Sequence, residues 1–268
     1  QERGFVLDAI AHHELTWERL KQFNVLVLMD FPQAGKVTKN WGGGPGSGPN
    51  LDETLALLDR FLKAGGGVLV NLIQHANDVD FYNSAQKALG RWGARRPLEA
   101  LAVPESTLVE HPRLHIRLFH TDRVAPSPVS EGVQGIWFPV GGPWTYWSGP
   151  IDVDEGWTVV LRAPQGSRTE VIDIGKAQPG LPWYEQPFQR PGGVAEPPLF
   201  AIRDLNPGRL ALFHCSPIFH LTSGTSWMHD RAMLQSGLAG KPSGFGRLLE
   251  NTFRWLAQPS LESGSLGG

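Results

Sequence analysis

The sequence is short of cysteine, of net charge and of long apolar runs, and each shortage excludes a class of protein. One cysteine in 268 residues rules out a disulfide scaffold. The 24 basic and 26 acidic side chains leave a formal net charge of -2, without the basic excess typical of nucleic-acid-binding proteins. No apolar run approaches the roughly 18 residues that a membrane-spanning helix needs. We therefore expect a globular protein whose partner is neither nucleic acid nor a membrane.

Glycine, proline and tryptophan are instead abundant, and they are dense in three segments. The chain has 32 glycines, 22 prolines and 10 tryptophans, and residues 41–50, 135–150 and 175–198 are rich in them. Glycine and proline interrupt regular structure. Aromatic rings in such loops are often exposed and can stack on a ligand or a partner. These loops are where we first expect a ligand or a partner to bind.

Two buried-strand patterns frame a helix in the first third of the chain. Residues 23–30 and 68–73 are short apolar runs, as in the strands of a parallel sheet. Between them, Asn50 and Glu53 have the spacing of a capping box, and leucines then recur at helical spacing. The strand–helix–strand order predicts a parallel α/β sheet.

The middle of the chain has a different pattern. Four short strand-like runs separated by Gly/Pro-rich turns lie between about residues 104 and 204, and they predict an antiparallel, β-rich insertion. After it, we expect residues 200–203 to pair with residues 209–214 across a turn at 206–208.

The chain closes with one more helical pattern. We expect this helix to start near Ser243 and to end at Pro259, because proline breaks a helix interior. The small polar residues of the tail resemble a linker. We therefore predict a single α/β domain over residues 1–258, with the β-rich insertion at about 104–204, and a linker-like tail over 259–268.

Four segments carry a resemblance to a known superfamily. They are residues 24–28, residues 58–70 with the pattern Phe-x-x-x-Gly-Gly-Gly, residues 207–213, and residues 249–256 with the pattern Asn-x-x-x-Trp-Leu. Together they resemble the class I glutamine amidotransferase-like superfamily. The similarity is to its non-amidotransferase branches, such as trehalose-utilisation-type domains and the trimerisation domain of some β-galactosidases. The resemblance implies a flavodoxin-like, mostly parallel sheet flanked by helices, and a carbohydrate-linked role.

The chain departs from that superfamily where the nucleophile of a true amidotransferase would stand. Those enzymes carry Gly-x-Cys-x-Gly at the turn from a central strand into a helix. The matching turn, residues 71–78, has no Cys, no Ser and no flanking Gly, although a strained nucleophile elbow needs small neighbours. The single cysteine follows a different strand. We expect no glutaminase activity, and the sequence favours a non-catalytic domain over an enzyme.

Polar side chains follow two of the predicted strands, where open α/β sheets bind their ligands. His75 and Asp78 follow one strand, and His214 and Cys215 follow another. If the chain is an enzyme, His75 with Asp78 would form a general base and its orienting group, and Cys215 beside a histidine would form a nucleophile. The alternative is that Asp78, or Asn77 beside it, caps a helix and that Cys215 is a small buried side chain.

Aromatic side chains provide a second candidate site, for a carbohydrate or a protein partner. Rings can stack on the apolar faces of sugars, and the alternative is that they pack the loops over the sheet edge. The candidate ligand-binding residues are Trp144, Tyr146, Trp147, Trp183, Trp227 and His220.

The nine histidines do not form a compact metal-binding motif. We therefore predict no metal site and no cofactor, with a site built from distant histidines as the alternative.

These observations leave three functions open. The first is a carbohydrate-linked binding or assembly role without catalysis, which includes a homo-oligomer formed through the Trp-rich loops. The second is a hydrolase or acid–base catalyst on a sugar-like substrate, and the third is a purely structural assembly module. The chain begins without Met and has no visible signal peptide, which indicates a removed leader or part of a longer chain. Many tryptophans and one cysteine favour an exported protein.

Overall fold

The computed structural model describes residues 4–10, 14–29, 31, 49–72, 79–97, 99–111, 117–139, 149–172, 188–214 and 232–267. Their helices are α1 (Trp17–Leu20), α2 (Leu51–Lys63), α3 (Val79–Gly90) and α4 (Phe245–Ser263), with a short 3-10 helix at Glu105–Thr107 and a π-helix at Ala232–Ser236. The strands are β1 (Val25–Met29), β2 (Gly67–Asn71), β3 (Ala94–Arg95), β4 (Glu99–Ala102), β5 (Val109–Glu110), β6 (Arg117–Thr121), β7 (Ile136–Pro139), β8 (Asp152–Val153), β9 (Thr158–Arg162), β10 (Arg168–Ile172), β11 (Phe188–Ala195), β12 (Pro198–Asp204) and β13 (Arg209–Phe213).

The central sheet has five strands in the order β1-β2-β13-β12-β9 and is mixed. Strands β1, β2 and β13 are parallel, whereas β12 is antiparallel to both β13 and β9. The expectation of a flavodoxin-like, mostly parallel sheet is therefore wrong. Only a few residues join β12 to β13, and a parallel pairing needs a crossover of a dozen or more residues. The short turn forces the antiparallel arrangement.

The remaining strands form three small antiparallel sheets, with the orders β11-β10-β4, β5-β6-β7 and β3-β8. The four strand-like runs predicted in the middle of the sequence, residues 114–119, 136–140, 157–163 and 169–174, overlap β6, β7, β9 and β10 in turn. Of these, β9 joins the central sheet through β12. The middle of the chain therefore contributes an edge strand to the sheet as well as separate β structure.

Both faces of the central sheet are covered, because alternate residues of its strands point to opposite faces. In β2, Val68 and Val70 belong to a core that includes the buried leucines of α2, and Leu69 belongs to a second core with α4. Helix α2 begins at the predicted capping box: Asn50 accepts a hydrogen bond from the Glu53 amide, and the Glu53 carboxylate accepts one from the Asn50 amide.

Helix α4 does not end at Pro259 as expected but continues to Ser263. Contacts formed after the proline hold the last turn and the residues that follow it. Asn24 donates hydrogen bonds to the Ser260 hydroxyl and to the carbonyl of Leu266, which is buried. The Gly267 amide donates to the Lys21 carbonyl. Tertiary contacts thus outweigh the missing proline N–H.

Candidate functional site

The carboxyl ends of β2 and β13 lie side by side and level with each other. Phe213, the last residue of β13, is in register with Asn71, the last residue of β2. The Leu72 amide donates a 2.8 Å hydrogen bond to the Phe213 carbonyl, so the two segments stay paired one residue beyond the end of β2. Leu72 and His214, which directly follow these two strands, therefore lie at the same edge of the sheet. Open α/β sheets bind ligands at this kind of edge.

His214 lies at this edge, directly after β13, and only 1% of the residue is exposed. Its Nδ1 is 3.2 Å from the Pro150 carbonyl oxygen. A carbonyl oxygen only accepts hydrogen bonds, so Nδ1 carries the proton. In the neutral ring, Nε2 is then an acceptor. Nε2 is buried and receives no hydrogen bond from the residues that the structure describes.

Two effects keep the His214 ring neutral. Burial is the larger, and the nearby positive charge of Arg96 is the second, and together they lower the pKa of His214 from 6.5 to about 3. The bond to the Pro150 carbonyl acts in the opposite direction and is weaker. At neutral pH the site therefore presents an uncharged imidazole, beside an arginine that is itself 4% exposed.

A short backbone segment, residues 149–151, holds the imidazole in place. The Gly149 amide donates a 3.1 Å hydrogen bond to the His214 carbonyl, and the Ile151 amide donates a 2.9 Å bond to the Pro198 carbonyl in β12. A Cβ at position 149 would overlap Cε1 and Nδ1 of the ring. Only glycine leaves room for the ring, so this segment fixes its orientation.

Of the residues predicted to form a site, His214 alone belongs to the described structure. The other nine predicted site residues lie outside the described residues: His75, Asp78, Cys215, Trp144, Tyr146, Trp147, Trp183, Trp227 and His220.

Sequence reasoning missed three neighbours of His214, namely Arg96, Gly149 and Pro150. The adjacent Arg95 and Arg96 look equivalent in sequence. Arg95 is exposed and forms an ion pair with Asp152, whereas Arg96 is buried. Arg96 directly follows β3, and the signal that separates the two arginines is the alternation of buried Ala94, exposed Arg95 and buried Arg96.

The other two histidines of the described structure lie in or directly beside the β5-β6-β7 sheet, and Nε2 of His120 is also buried without a hydrogen-bond partner among the described residues. His120 in β6 lies 5.1 Å from the Trp137 ring, and its pKa is lowered, first by burial and then by the charge of Lys241. His111 is buried after β5. Within the described ranges, no group of three or more His, Cys, Asp or Glu side chains is arranged to hold a metal ion. In the same ranges, no helix combines the length and apolar character needed to cross a bilayer.

A cavity of about 290 Å³ lies elsewhere, beside the first turn of α4. Its lining includes the exposed Arg247 and the buried Ser243, whose hydroxyl already donates to the Met233 carbonyl. His214, the predicted site residue that the structure describes, does not line it. We place the candidate site at His214 instead, because this residue lies where the carboxyl ends of neighbouring parallel strands meet.

Comparison with known proteins shows a shared fold. No protein-family model and no curated protein matches the chain. Among solved structures, the mmIFT52 N-terminal domain has a TM-score of 0.52 at 15% identity, over 90% of this chain and 80% of that one. The cytoplasmic proteins STM3548 from Salmonella typhimurium and STM1381 from Salmonella typhimurium LT2 have TM-scores of 0.47 and 0.43, at 13% and 14% identity. These two matches extend over 95% and 90% of this chain, and over 82% and 75% of the respective Salmonella chains.

At this identity, the likeness to the mmIFT52 domain concerns the fold alone. None of the matched names connects the chain with the amidotransferase-like superfamily, so that resemblance stays a prediction.

Proposed function

We propose that this chain is a non-catalytic binding domain with a carbohydrate-linked role, and that its ligand site is the carboxyl edge of β1, β2 and β13. The observation that carries the proposal is the buried, neutral imidazole of His214, with an acceptor nitrogen that has no donor among the described residues.

The pKa of His214 favours binding over acid–base catalysis. A general base works best when its pKa lies near the operating pH. The pKa of His214 is about 3, four pH units below neutrality, so its protonation at pH 7 costs about 5 kcal/mol. If a hydrolase relied on His214 to take up a proton, its activation free energy would be raised by this amount.

The tryptophans support a carbohydrate as the ligand. Five of the ten are described, and they pack into the structure: Trp17 is half-buried, and Trp92, Trp137, Trp157 and Trp255 are buried. The other five lie outside the described residues.

Four of those five belong to segments that connect directly with the proposed edge. Trp41 belongs to the segment after β1, Trp144 and Trp147 to the segment that ends at Gly149, and Trp227 to the segment after His214. Aromatic rings with an apolar face suit the apolar face of a sugar. The five described tryptophans pack into the structure, and we infer that those next to the proposed edge in sequence contact the ligand.

Titration with neutral sugars tests the proposal. Glucose, galactose, maltose and lactose are titrated into the chain and followed by calorimetry and tryptophan fluorescence, and chromogenic glycosides are assayed in parallel. We expect saturable binding of at least one sugar and no hydrolysis. The Trp147→Ala variant should weaken binding, whereas Leu261→Ala, at a side chain that is 64% exposed on α4, should not.

Two results would contradict the proposal. One is the absence of binding at millimolar concentrations of every sugar in the panel. The other is hydrolysis of a glycoside that disappears in the His214→Asn variant.

A further inference from the structure

We propose that the cavity beside the first turn of α4 binds the phosphate group of a small molecule, with Arg247 as its charged contact. His214 does not line this cavity, so the inference concerns a second site and does not depend on the proposed function.

The cavity is accessible and has the size of a small-ligand site. Its volume is about 290 Å³, near the lower end of the roughly 300 to 1,000 Å³ of typical ligand pockets. Three of the side chains that line it, Gln134, Gln235 and Arg247, are exposed. A solute can therefore enter it directly from the solvent.

Arg247 brings to the cavity a positive charge that no described residue compensates. Its side chain lies against the backbone of Gly132, where an added Cβ would come within 3.0 Å of Cδ and 3.3 Å of Nη1. It forms no ion pair and no hydrogen bond with the residues that the structure describes, and the described lining includes no Asp or Glu. By contrast, Arg254, two turns further along α4, pairs with Glu250. Arg247 is therefore available to an anion.

The first turn of α4 adds backbone donors to the same lining. Gly246 and Arg247 are its second and third residues, and within the described ranges their amides donate no hydrogen bond. No side chain caps the helix at Gly244, and the Ser243 hydroxyl donates to the Met233 carbonyl. The first turn also has no acidic residue. The positive end of this 19-residue helix therefore has no negative group beside it among the described residues.

The missing cap is a consequence of the packing at Gly244. Its amide donates a 2.7 Å hydrogen bond to the Gly135 carbonyl, which holds the start of α4 against the residues before β7. A Cβ at position 244 would lie 2.9 Å from a methyl carbon of Val133 and 3.3 Å from the Gly135 oxygen. The usual capping residues Ser, Thr, Asp and Asn would be crowded there, so the donors of the first turn are left for a ligand.

A phosphate group suits these donors better than a carboxylate or a neutral sugar. Arginine binds phosphate through two parallel hydrogen bonds, and helix N-termini bind it through backbone amides. A phosphate monoester has three acceptor oxygens and up to two negative charges, whereas a carboxylate has two oxygens and one charge. The Gln134 and Gln235 amides can bond to polar groups of an attached molecule, and Leu234 and Pro242 give the cavity an apolar wall. Free phosphate and a phosphate monoester share this chemistry.

NMR titration of the nitrogen-15-labelled wild-type chain tests the site residue by residue. The amide signals of Gly246 and Arg247 are followed during addition of sodium phosphate, glucose 6-phosphate, sodium acetate or sodium chloride, at pH 7.5 and equal ionic strength. We expect saturable shifts of both amides with the two phosphates and weaker binding of acetate.

The titration also separates the two sources of phosphate. Tighter binding of glucose 6-phosphate than of inorganic phosphate would identify an organic phosphate as the ligand, and equal or weaker binding would identify free phosphate; both results support the site. The absence of a saturable shift with either phosphate would overturn the inference, and so would binding of acetate or chloride as tight as that of phosphate.

Two arginine variants of α4 test the charged contact. Arg247→Gln keeps a long polar side chain and removes the charge, and Arg254→Gln makes the same change on the same helix outside the cavity lining. We expect Arg247→Gln to bind phosphate about tenfold more weakly or worse, the equivalent of one charge-assisted hydrogen bond, and Arg254→Gln to bind it like wild type.

An unchanged affinity in Arg247→Gln, or an equal loss in both variants, would show that the guanidinium at position 247 is not a specific contact and would overturn the inference. Circular dichroism verifies the fold of both variants, and the wild-type titration decides the matter if Arg247→Gln does not fold. The neutral-sugar titrations proposed above do not involve Arg247, so either proposal can fail without the other.

Discussion

Acidification should destabilise the wild-type chain more than a variant that lacks the imidazole of His214. In the folded chain, the pKa of His214 is lowered from 6.5 to about 3. Between these values the unfolded chain holds a proton on His214 and the folded chain does not. The stability that the neutral ring contributes is therefore fully present above pH 6.5, and it is lost as the pH falls towards the folded-state pKa.

The size of the effect follows from the width of that window. Each pH unit inside it is worth about 1.36 kcal/mol, so at about pH 4.5, two units below 6.5, wild type loses about 2.7 kcal/mol relative to neutral pH through this residue. The His214→Asn variant loses nothing there, because its amide does not titrate. All other titrating groups, including His120, are common to both chains and cancel in the comparison.

Urea unfolding at pH 7.5 and at pH 4.5, for both chains, measures this difference. The gap in free energy of unfolding between wild type and His214→Asn should shrink by about 2 to 3 kcal/mol on acidification. Parallel pH dependence of the two chains, within about 1 kcal/mol, would show that His214 is not buried as a neutral ring. The argument for an acceptor at the strand edge would then lose its basis.

Three further substitutions test how the elements are held. Gly67→Ala, at the start of β2, should lower the free energy of unfolding by about 1 to 3 kcal/mol or more, because its Cβ would overlap the backbone of Leu256 in α4. Asn50→Ala should cost about 1 kcal/mol by removing the acceptor for the Glu53 amide. Gly90→Ala, at the end of α3 with no atom within 4 Å of the new Cβ, should be neutral or stabilising by up to about 1 kcal/mol. Urea midpoints rank all three, and an equal midpoint for Gly67→Ala and Gly90→Ala would refute the close approach of β2 to α4.

Local patterns predicted local structure correctly. The capping box of Asn50 and Glu53 is confirmed, because both hydrogen bonds join residues three positions apart. The hairpin predicted between residues 200–203 and 209–214 is confirmed for β12 and β13. In both cases the information lies within a few residues of the chain, and long-range packing does not have to be known.

The composition of the central sheet could not be predicted in this way. Apolar runs predict that β1 and β2 are buried strands, but they do not say which strands complete the sheet. Strand β9 joins the sheet only by pairing with β12, and a long excursion of the chain separates these two strands in sequence. The resemblance implied a mostly parallel sheet, whereas the parallel pairing in the molecule stops at β13.

The candidate site was predictable by position but not by chemistry. His214 follows an apolar strand, and that alone places it at a carboxyl edge. Its proton position depends on Pro150, which is 64 residues away, and its pKa depends on burial and on Arg96. From the sequence alone, a histidine is equally compatible with a general base, a metal ligand or a buried side chain. The neighbouring groups that decide between these roles come from other elements of the fold.

The two causes of the low pKa of His214 are independent of each other, and this makes the acceptor character of the site robust. Burial comes from the packing around the ring, whereas the charge comes from Arg96, which directly follows β3 and is buried next to the exposed Arg95. Loss of Arg96 alone would leave burial, the larger cause. A site meant to switch with pH would place a carboxylate beside the ring to bring its pKa towards neutrality. Here the charged neighbour is a cation, which keeps the ring neutral and disfavours a pH sensor or a general base at this residue.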